Sequence, residues 1–369
     1  MISAWWSWIA GVSLQAMALL AVVFVLDAVL LRRGWPAVRV ALWCAVLARL
    51  LLPPDLAAPW SLASTLAANA PVEWTPTIVR DAGRAKGWIF GLWLAGVVGF
   101  AMRAFLARHA LERLVARAHD APRHAERELA RLGERLGLAR VPMLRVSDEL
   151  GGPAVVVLGS RTVVMLPTEL LGPGTAFERE HALLHEIAHL VRRDPLAARV
   201  VAFVRALFWF HPAAWIASRK LAELRELGAD ARVAAELRER TPEYRAVLLA
   251  AAARQHGLAA PSGASGFVSG PSLLLLRLSR LERPLWRTSR LERAAGAAAF
   301  LAFALFVLPM ACELPRRIGL DSTVSAALAR WERAVASDER QNCLEVQAAA
   351  RILQAHAQLT GEDLTRTNP

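Results

Sequence analysis

Four stretches of the chain are nearly free of ionisable side chains, and the polar positions fall between them. From Met1 to Leu26 there is none, and the apolar run continues past Asp27 to Leu31, where Arg32 and Arg33 stop it. At about 1.5 Å per residue that run crosses a hydrocarbon core of about 30 Å. The arginines follow the apolar segment, whereas a cleaved signal peptide wants its basic residues in front, so a retained transmembrane helix is expected over residues 1–31. A second span is expected over residues 35–52, with Arg39 and Arg49 near its ends, where long side chains can snorkel, and Pro53-Pro54 closing it. A third is expected over residues 87–106, in which Gly87, Gly91, Ala95 and Gly99 recur every four residues. Such a stripe lets a neighbouring helix approach closely in lipid, although glycine scattered by chance in a span looks the same. A fourth is expected over residues 294–312, 19 residues without a charge.

Composition agrees with this pattern. The chain has 369 residues, 55% of them hydrophobic, which excludes a disordered or collagen-like polymer. Its 44 Lys and Arg against 32 Asp and Glu give a net charge of +12, which would ordinarily suggest a nucleic-acid partner. The location of the charge argues otherwise. Residues 32–39 carry three arginines and no acid, and residues 103–293 carry 30 basic against 20 acidic residues. Residues 53–86 are balanced at three and three, and residues 294–369 have seven against eight. Alternating basic and neutral segments follow the positive-inside rule for extracytoplasmic N- and C-termini, an extracytoplasmic loop over residues 53–86 and a cytoplasmic domain over residues 107–293. Much of the excess flanks the spans, including six arginines from Arg277 to Arg293, where anionic headgroups can use it. No direct nucleic-acid contact is expected. Three cysteines, Cys44, Cys312 and Cys343, are too few for a disulfide framework or a cysteine zinc cluster.

The cytoplasmic segment holds His181-Ala-Leu-Leu-His185-Glu186-Ile187-Ala188-His189 in an apolar-periodic stretch. His185 and His189, four apart on a helix, project from one face and can meet one zinc ion. Glu186 can hold a metal-bound water as general base without taking a coordination position. A catalytic zinc needs a third protein ligand, and Glu226-Leu-Gly-Ala-Asp230 supplies two carboxylates on one face of a second helical run. Glu226 is the candidate ligand. Asp230 is placed to accept a hydrogen bond from the far nitrogen of a zinc-bound histidine. A solvated acidic helix paired with Arg219, Lys220, Arg225 and Arg232 is the plain alternative.

Three blocks carry a family resemblance: Gly152-Pro153 through Gly159 with Val164-Met-Leu-Pro167; His185-Glu-Ile-Ala-His189 with Arg192-Arg-Asp194; and Trp209-Phe-His-Pro212 leading into Glu226-Leu-Gly-Ala-Asp230. With them the chain resembles the BlaR/MecR membrane metallopeptidases of antirepressor type. The resemblance implies an α-rich membrane protein, four transmembrane helices with an inserted α+β gluzincin-like zinc peptidase domain, in a bacterial cytoplasmic (inner) membrane. It also implies Zn(2+) held by His185, His189 and Glu226, and Glu186 as catalytic base. The implied partners are a peptide or protein substrate, such as a winged-helix repressor or the protein itself, and the bilayer; a homo-oligomer is compatible with the pattern. HtpX-type proteases share the same ligand logic and are the nearest competitor, and a non-enzymatic transducer with a structural zinc is a third alternative.

Elsewhere, Ala154–Leu158 and Thr162–Leu166 read as a hairpin that covers the core or, in peptidases of this resemblance, pairs with extended substrate. Asp194-Pro195 reads as an N-cap followed by proline at the first helical position, a structural role. His181 reads either as a residue behind the metal ligands or as a surface residue, and Tyr244 and His211 are candidates to stabilise the oxyanion. Leu196 to Ala217, rich in Phe and Trp, reads as a core helix in preference to one in the membrane interface. Gly257–Ser272 reads as a flexible loop. Residues 313–369 read as a tail with short helices near Thr323–Ala336 and Glu345–Leu359, with no Ser-x-x-Lys, so β-lactam reception is not carried over. Cys312 and Cys343 would share the outer side, as a disulfide or as two free thiols.

Overall fold

The computed structural model describes residues 2–29, 36–54, 85–255, 271–282 and 290–306. Most of the expected extracytoplasmic loop, the Gly257–Ser272 loop up to residue 270, and the tail with Cys312 and Cys343 lie outside them. Helix α1 (Ile2–Val29) and helix α3 (Ala85–Arg117) are long and apolar enough to cross a membrane. Both leave large apolar side chains bare, among them Phe24, Val25, Trp88 and Leu92, as lipid-facing helices do. Helix α2 (Pro36–Leu51) has 16 residues and packs on α1. Its Asp27 partner in α1 is gripped by Arg39, Nε to Oδ1 at 2.5 Å and Nη2 to Oδ2 at 3.0 Å. Arg49 does not snorkel: it is fully buried and turns inward to Gln15 and to the Pro53 carbonyl at 3.0 Å, because an apolar setting forces a guanidinium to find every acceptor it can.

The segment after α3 builds a four-stranded sheet in the order β1 (His119–Asp120), β2 (Met143–Ser147), β4 (Arg161–Pro167), β3 (Ala154–Leu158). Strands β2 and β4 are parallel and the other pairs antiparallel. The β3–β4 hairpin pairs Leu158 with Arg161 across Gly159-Ser160, and Gly159 takes φ 60°, the left-handed value that the first position of a type II′ turn favours. Helix α4 (Arg123–Leu136) buries Ala125, Leu129, Leu132 and Leu136 on one face against the sheet and ends at Gly137 with φ 77°.

Helix α5 (Ala176–Val191) is buried along its length, and helices α6 (Asp194–Leu207) and α7 (Pro212–Leu237) follow as an antiparallel pair. Helix α8 (Thr241–Gln255) and helix α9 (Pro271–Leu281) complete the domain, and α10 (Arg290–Phe306) covers the first part of the fourth expected span. Two large apolar cores result, beside a smaller one in which Leu114 of α3 meets Val156, Val163 and Met165 of the sheet. One joins sheet, α4, α5, α8 and the C-terminal half of α7 through Ala229, Val233 and Leu237; the other joins α1 and α2 to Phe208 and the N-terminal half of α7 through Ala213, Ala217 and Leu224. Helix α7 runs unbroken through both. The Phe- and Trp-rich stretch thus packs on the expected spans, not in the core that joins the sheet to α5. The expected small-residue stripe on α3 is not used either: Gly87, Gly91 and Gly99 face open space, and Gly96 instead receives the Trp209 ring, where a side chain would collide with it.

Candidate metal centre

His185 and His189 lie one turn apart on α5, and their Nε2 atoms face each other at 3.1 Å. Helix α7 crosses α5 and brings Glu226 to them, with Oε2 3.4 Å from His185 Nε2 and Oε1 3.6 Å from His189 Nε2. All three candidate ligand atoms fall within 4.8 Å of one another. Tetrahedral zinc with bonds near 2.0–2.1 Å holds neighbouring ligand atoms about 3.3 Å apart, so the spacing fits.

The far nitrogens are engaged. His189 Nδ1 donates to Asp194 Oδ2 at 2.8 Å; His185 Nδ1 donates to the Tyr244 hydroxyl at 2.8 Å, which donates in turn to Asp230 Oδ1 at 2.6 Å. With both Nδ1 atoms serving as donors, both Nε2 lone pairs point at one another. A shared cation relieves that repulsion. Burial pulls the His185 ring down, but hydrogen bonds to Asp230 and Glu226 outweigh it and raise it to about 9; Glu226 is opposed by burial yet held down to about 2 by His185, with help from Arg277 and His189.

Glu186 is 1% exposed, and neither of its carboxylate oxygens has a hydrogen-bond partner among the described residues. Burial pushes its carboxyl up, against the pull of His189 and His185. A buried carboxylate with no protein donor is costly unless a metal or its water faces it. Together with His189 and Glu226, Glu186 lines a cleft of about 280 Å³. The edge strand β3 forms one wall of it through Val155, Val156 and Val157, and α6 forms another, with Arg199 and Arg225 as the lining cations.

Several residues differ from their sequence-derived roles. Asp194 is not the N-cap. Arg193 is, at φ 59°, and Asp194 is the first helical residue, its carboxylate free to orient His189. For His181 the surface alternative falls and the place behind the ligands remains: it is fully buried, bonds the Phe177 carbonyl through Nδ1 at 2.7 Å and stacks at 5.9 Å on Tyr244, which touches His185. Tyr244 lies behind His185, turned toward Asp230, so it cannot face an oxyanion in the cleft. His211 caps the far end of α7, accepting from the Ala213 amide at 3.2 Å, about 22 Å along the helix from Glu226.

Asp230 stands 3.3 Å from His185 Nδ1 and is linked to it through the Tyr244 hydroxyl. Its dominant partner is Arg277 on α9, fully buried, with Nε to Oδ2 at 2.7 Å and Nη1 also 3.4 Å from Glu226 Oε2. In the sequence Arg277 is one of six arginines before the last expected span. The signal that sets it apart is its seat inside Leu273–Leu276 and Leu278, where a solvated arginine has no reason to be.

A search of curated proteins returns no match. A family model described as BlaR1 peptidase M56 matches residues 7–281, a stretch that includes the two long apolar helices, the sheet, the ligand triad and Arg277. The chain therefore belongs to the BlaR1 peptidase M56 family of membrane-associated metallopeptidases.

Proposed function

We propose that the protein is a membrane zinc metalloendopeptidase of regulatory type, which cleaves itself or a cytoplasmic transcriptional repressor in response to an extracytoplasmic signal. His185, His189 and Glu226 hold zinc, and four spans set the catalytic domain on the cytoplasmic face with both termini outside. One observation carries the reading: three converging ligand atoms stand beside a buried carboxylate without a partner, at the base of an open cleft. A purely structural zinc closes its coordination shell and needs no such base, which argues against a non-enzymatic transducer.

Zinc bound there would polarise the scissile carbonyl and acidify an attacking water. Glu186 takes the proton from that water and returns it to the leaving amine, and its upward-shifted carboxyl suits both transfers. Asp194 and the Tyr244–Asp230 pair keep the histidine rings turned. The edge strand positions the substrate. Val157 turns its carbonyl outward to Arg199 at 3.1 Å, so by the two-residue period Val155 also offers its amide and carbonyl to the cleft, where an extended peptide can add as a strand.

The test is Glu186→Gln in the full-length protein in detergent or liposomes, assayed for zinc content and for cleavage of itself and of added repressor. Zinc should stay and cleavage should vanish. Undiminished proteolysis by the variant would sink the mechanism, and equal cleavage of unfolded membrane proteins would favour an HtpX-like quality-control enzyme.

A further inference from the structure

The pair α6–α7 turns at Phe208–His211 against the middle of the two long apolar helices. His211 Nε2 donates to the carbonyl of Ser13 at 3.3 Å, Trp93 Nε1 donates to the carbonyl of Leu207 at 2.9 Å, and Trp209 Nε1 donates back to the carbonyl of Trp93 at 3.2 Å. Ser13 lies 14 residues before Asp27, the first charge of α1, and Trp93 lies 10 residues before Arg103, the first charge after the apolar run of α3. Those separations put the turn about 15–21 Å inward from the charged ends, roughly the middle of a 30 Å hydrocarbon core.

From these contacts we infer that α6–α7 is a re-entrant hairpin, entering the bilayer from the cytoplasmic side with its tip and one face of α6 against lipid acyl chains. The inference rests on the reading of α1 and α3 as membrane spans. Three further observations support it. Lipid offers no hydrogen bonds, so backbone at that depth must satisfy itself. Several groups of the turn are met in this way: the Phe208 amide bonds the Val204 carbonyl at 2.9 Å, the His211 amide bonds the Phe208 carbonyl at 2.9 Å, Trp215 Nε1 bonds the Trp209 carbonyl at 2.7 Å, and Pro212 has no amide hydrogen to satisfy. Next, Leu196, Val200 and Phe203, at i, i+4 and i+7 of α6, and Phe210 at the turn are 58%, 53%, 62% and 41% exposed, an apolar face that water would penalise. Finally, the charges near the tip turn back. The Arg205 guanidinium lies over the Trp215 ring at 4.1 Å and feels the charges of Arg103 and Arg219, both farther from the tip.

The experiment uses full-length protein in liposomes, with Cys44, Cys312 and Cys343 replaced by alanine and a nitroxide placed at Phe203→Cys or Phe210→Cys. Val25→Cys on the bare face of α1 reports the span itself, and Arg131→Cys on exposed α4 reports water. Labels at 203 and 210 should match Val25, reached by oxygen and shielded from a water-soluble nickel chelate, with 210 the deeper. Nickel access equal to that at Arg131, with Val25 still shielded, would overturn the hairpin alone. Labels shielded from both reagents would put protein over this face and overturn it too. Nickel access at Val25 would overturn the span reading beneath it. Retained zinc in each labelled protein confirms that it is folded.

Discussion

Arg277 grips both oxygens of Asp230, Nε to Oδ2 at 2.7 Å and Nη2 to Oδ1 at 2.8 Å, and so fastens the helix that leads toward the last expected span onto the helix that carries Glu226. The pair is fully buried, and Asp230 in turn holds Tyr244 and the His185 ring. Removing one partner leaves a charge stranded in the core, which costs about 3–5 kcal/mol. Arg277→Met should therefore lower the unfolding midpoint and weaken zinc binding. Arg277→Lys should recover only part of both, since an ammonium cannot span the two oxygens. Thermal unfolding and chelator competition measure the two effects, and wild-type zinc affinity in the Met variant would disprove the link.

Asp194 is expected to act on the metal, although it begins a helix. Asp194→Ala leaves His189 Nδ1 without an acceptor, and losses of this kind lower metal affinity about 10–100-fold. Helix α6 should persist, because Pro195 still sets its first turn. A smaller loss is expected for Asp194→Asn, whose amide oxygen still accepts. Zinc-buffer titration with circular dichroism separates the two consequences.

Glu186→Gln should reduce turnover by about two to four orders of magnitude, the usual worth of a general base, with zinc stoichiometry unchanged. The metal-free variant should be no less stable than the parent, since it replaces a buried, partnerless carboxylate with a neutral amide. Single-turnover cleavage and metal analysis of one preparation provide both numbers.

A metal ion and a proton would compete for His185. Its ring, raised to about 9, is protonated at neutral pH, so zinc binding must displace that proton. Between pH 6 and 8 apparent affinity should rise about tenfold per pH unit, and calorimetry in buffers of different ionisation enthalpy should show about one proton released. In the metal-free protein the sign reverses. A raised histidine stabilises the fold fully below its unfolded value near 6.5, and that contribution fades as the pH climbs toward 9. Denaturant unfolding at pH 6 and pH 9, without metal, checks this.

What the sequence discloses of this site is what local spacing can encode. His185, Glu186 and His189 lie within little more than one turn of α5, and Glu226 and Asp230 share α7, so periodicity groups the residues within each helix. Likewise the Ala154–Leu158 strand and its Gly159 turn follow from a β-branched run broken by glycine. Arg277 reaches Asp230 across 47 residues, and Tyr244 meets His185 across 59. Neither partnership leaves a periodic trace, so Arg277 reads as one more juxtamembrane cation. Asp194 was misread for a different reason: Asp-Pro satisfies the capping rule so well that a ligand-orienting role five residues from His189 is masked. Gly96 likewise differs from the other glycines of α3 only through Trp209, a residue more than a hundred positions away.

Helix α7 passes from one apolar core to the other without a joint, 26 residues from Pro212 to Leu237. Nothing between Ala213, packed against α1 and α2, and Glu226, beside the histidines, can absorb a displacement. A push on the N-terminal end of α7 would thus be carried toward the carboxylate along one unbroken helix. Metal–ligand distances tolerate only about 0.2 Å, so a travel far smaller than a side-chain rotamer change suffices to loosen or tighten the third ligand. Such a linkage would transmit a signal as a stiff rod does, by length conserved end to end, with no need for a large rearrangement of the catalytic domain.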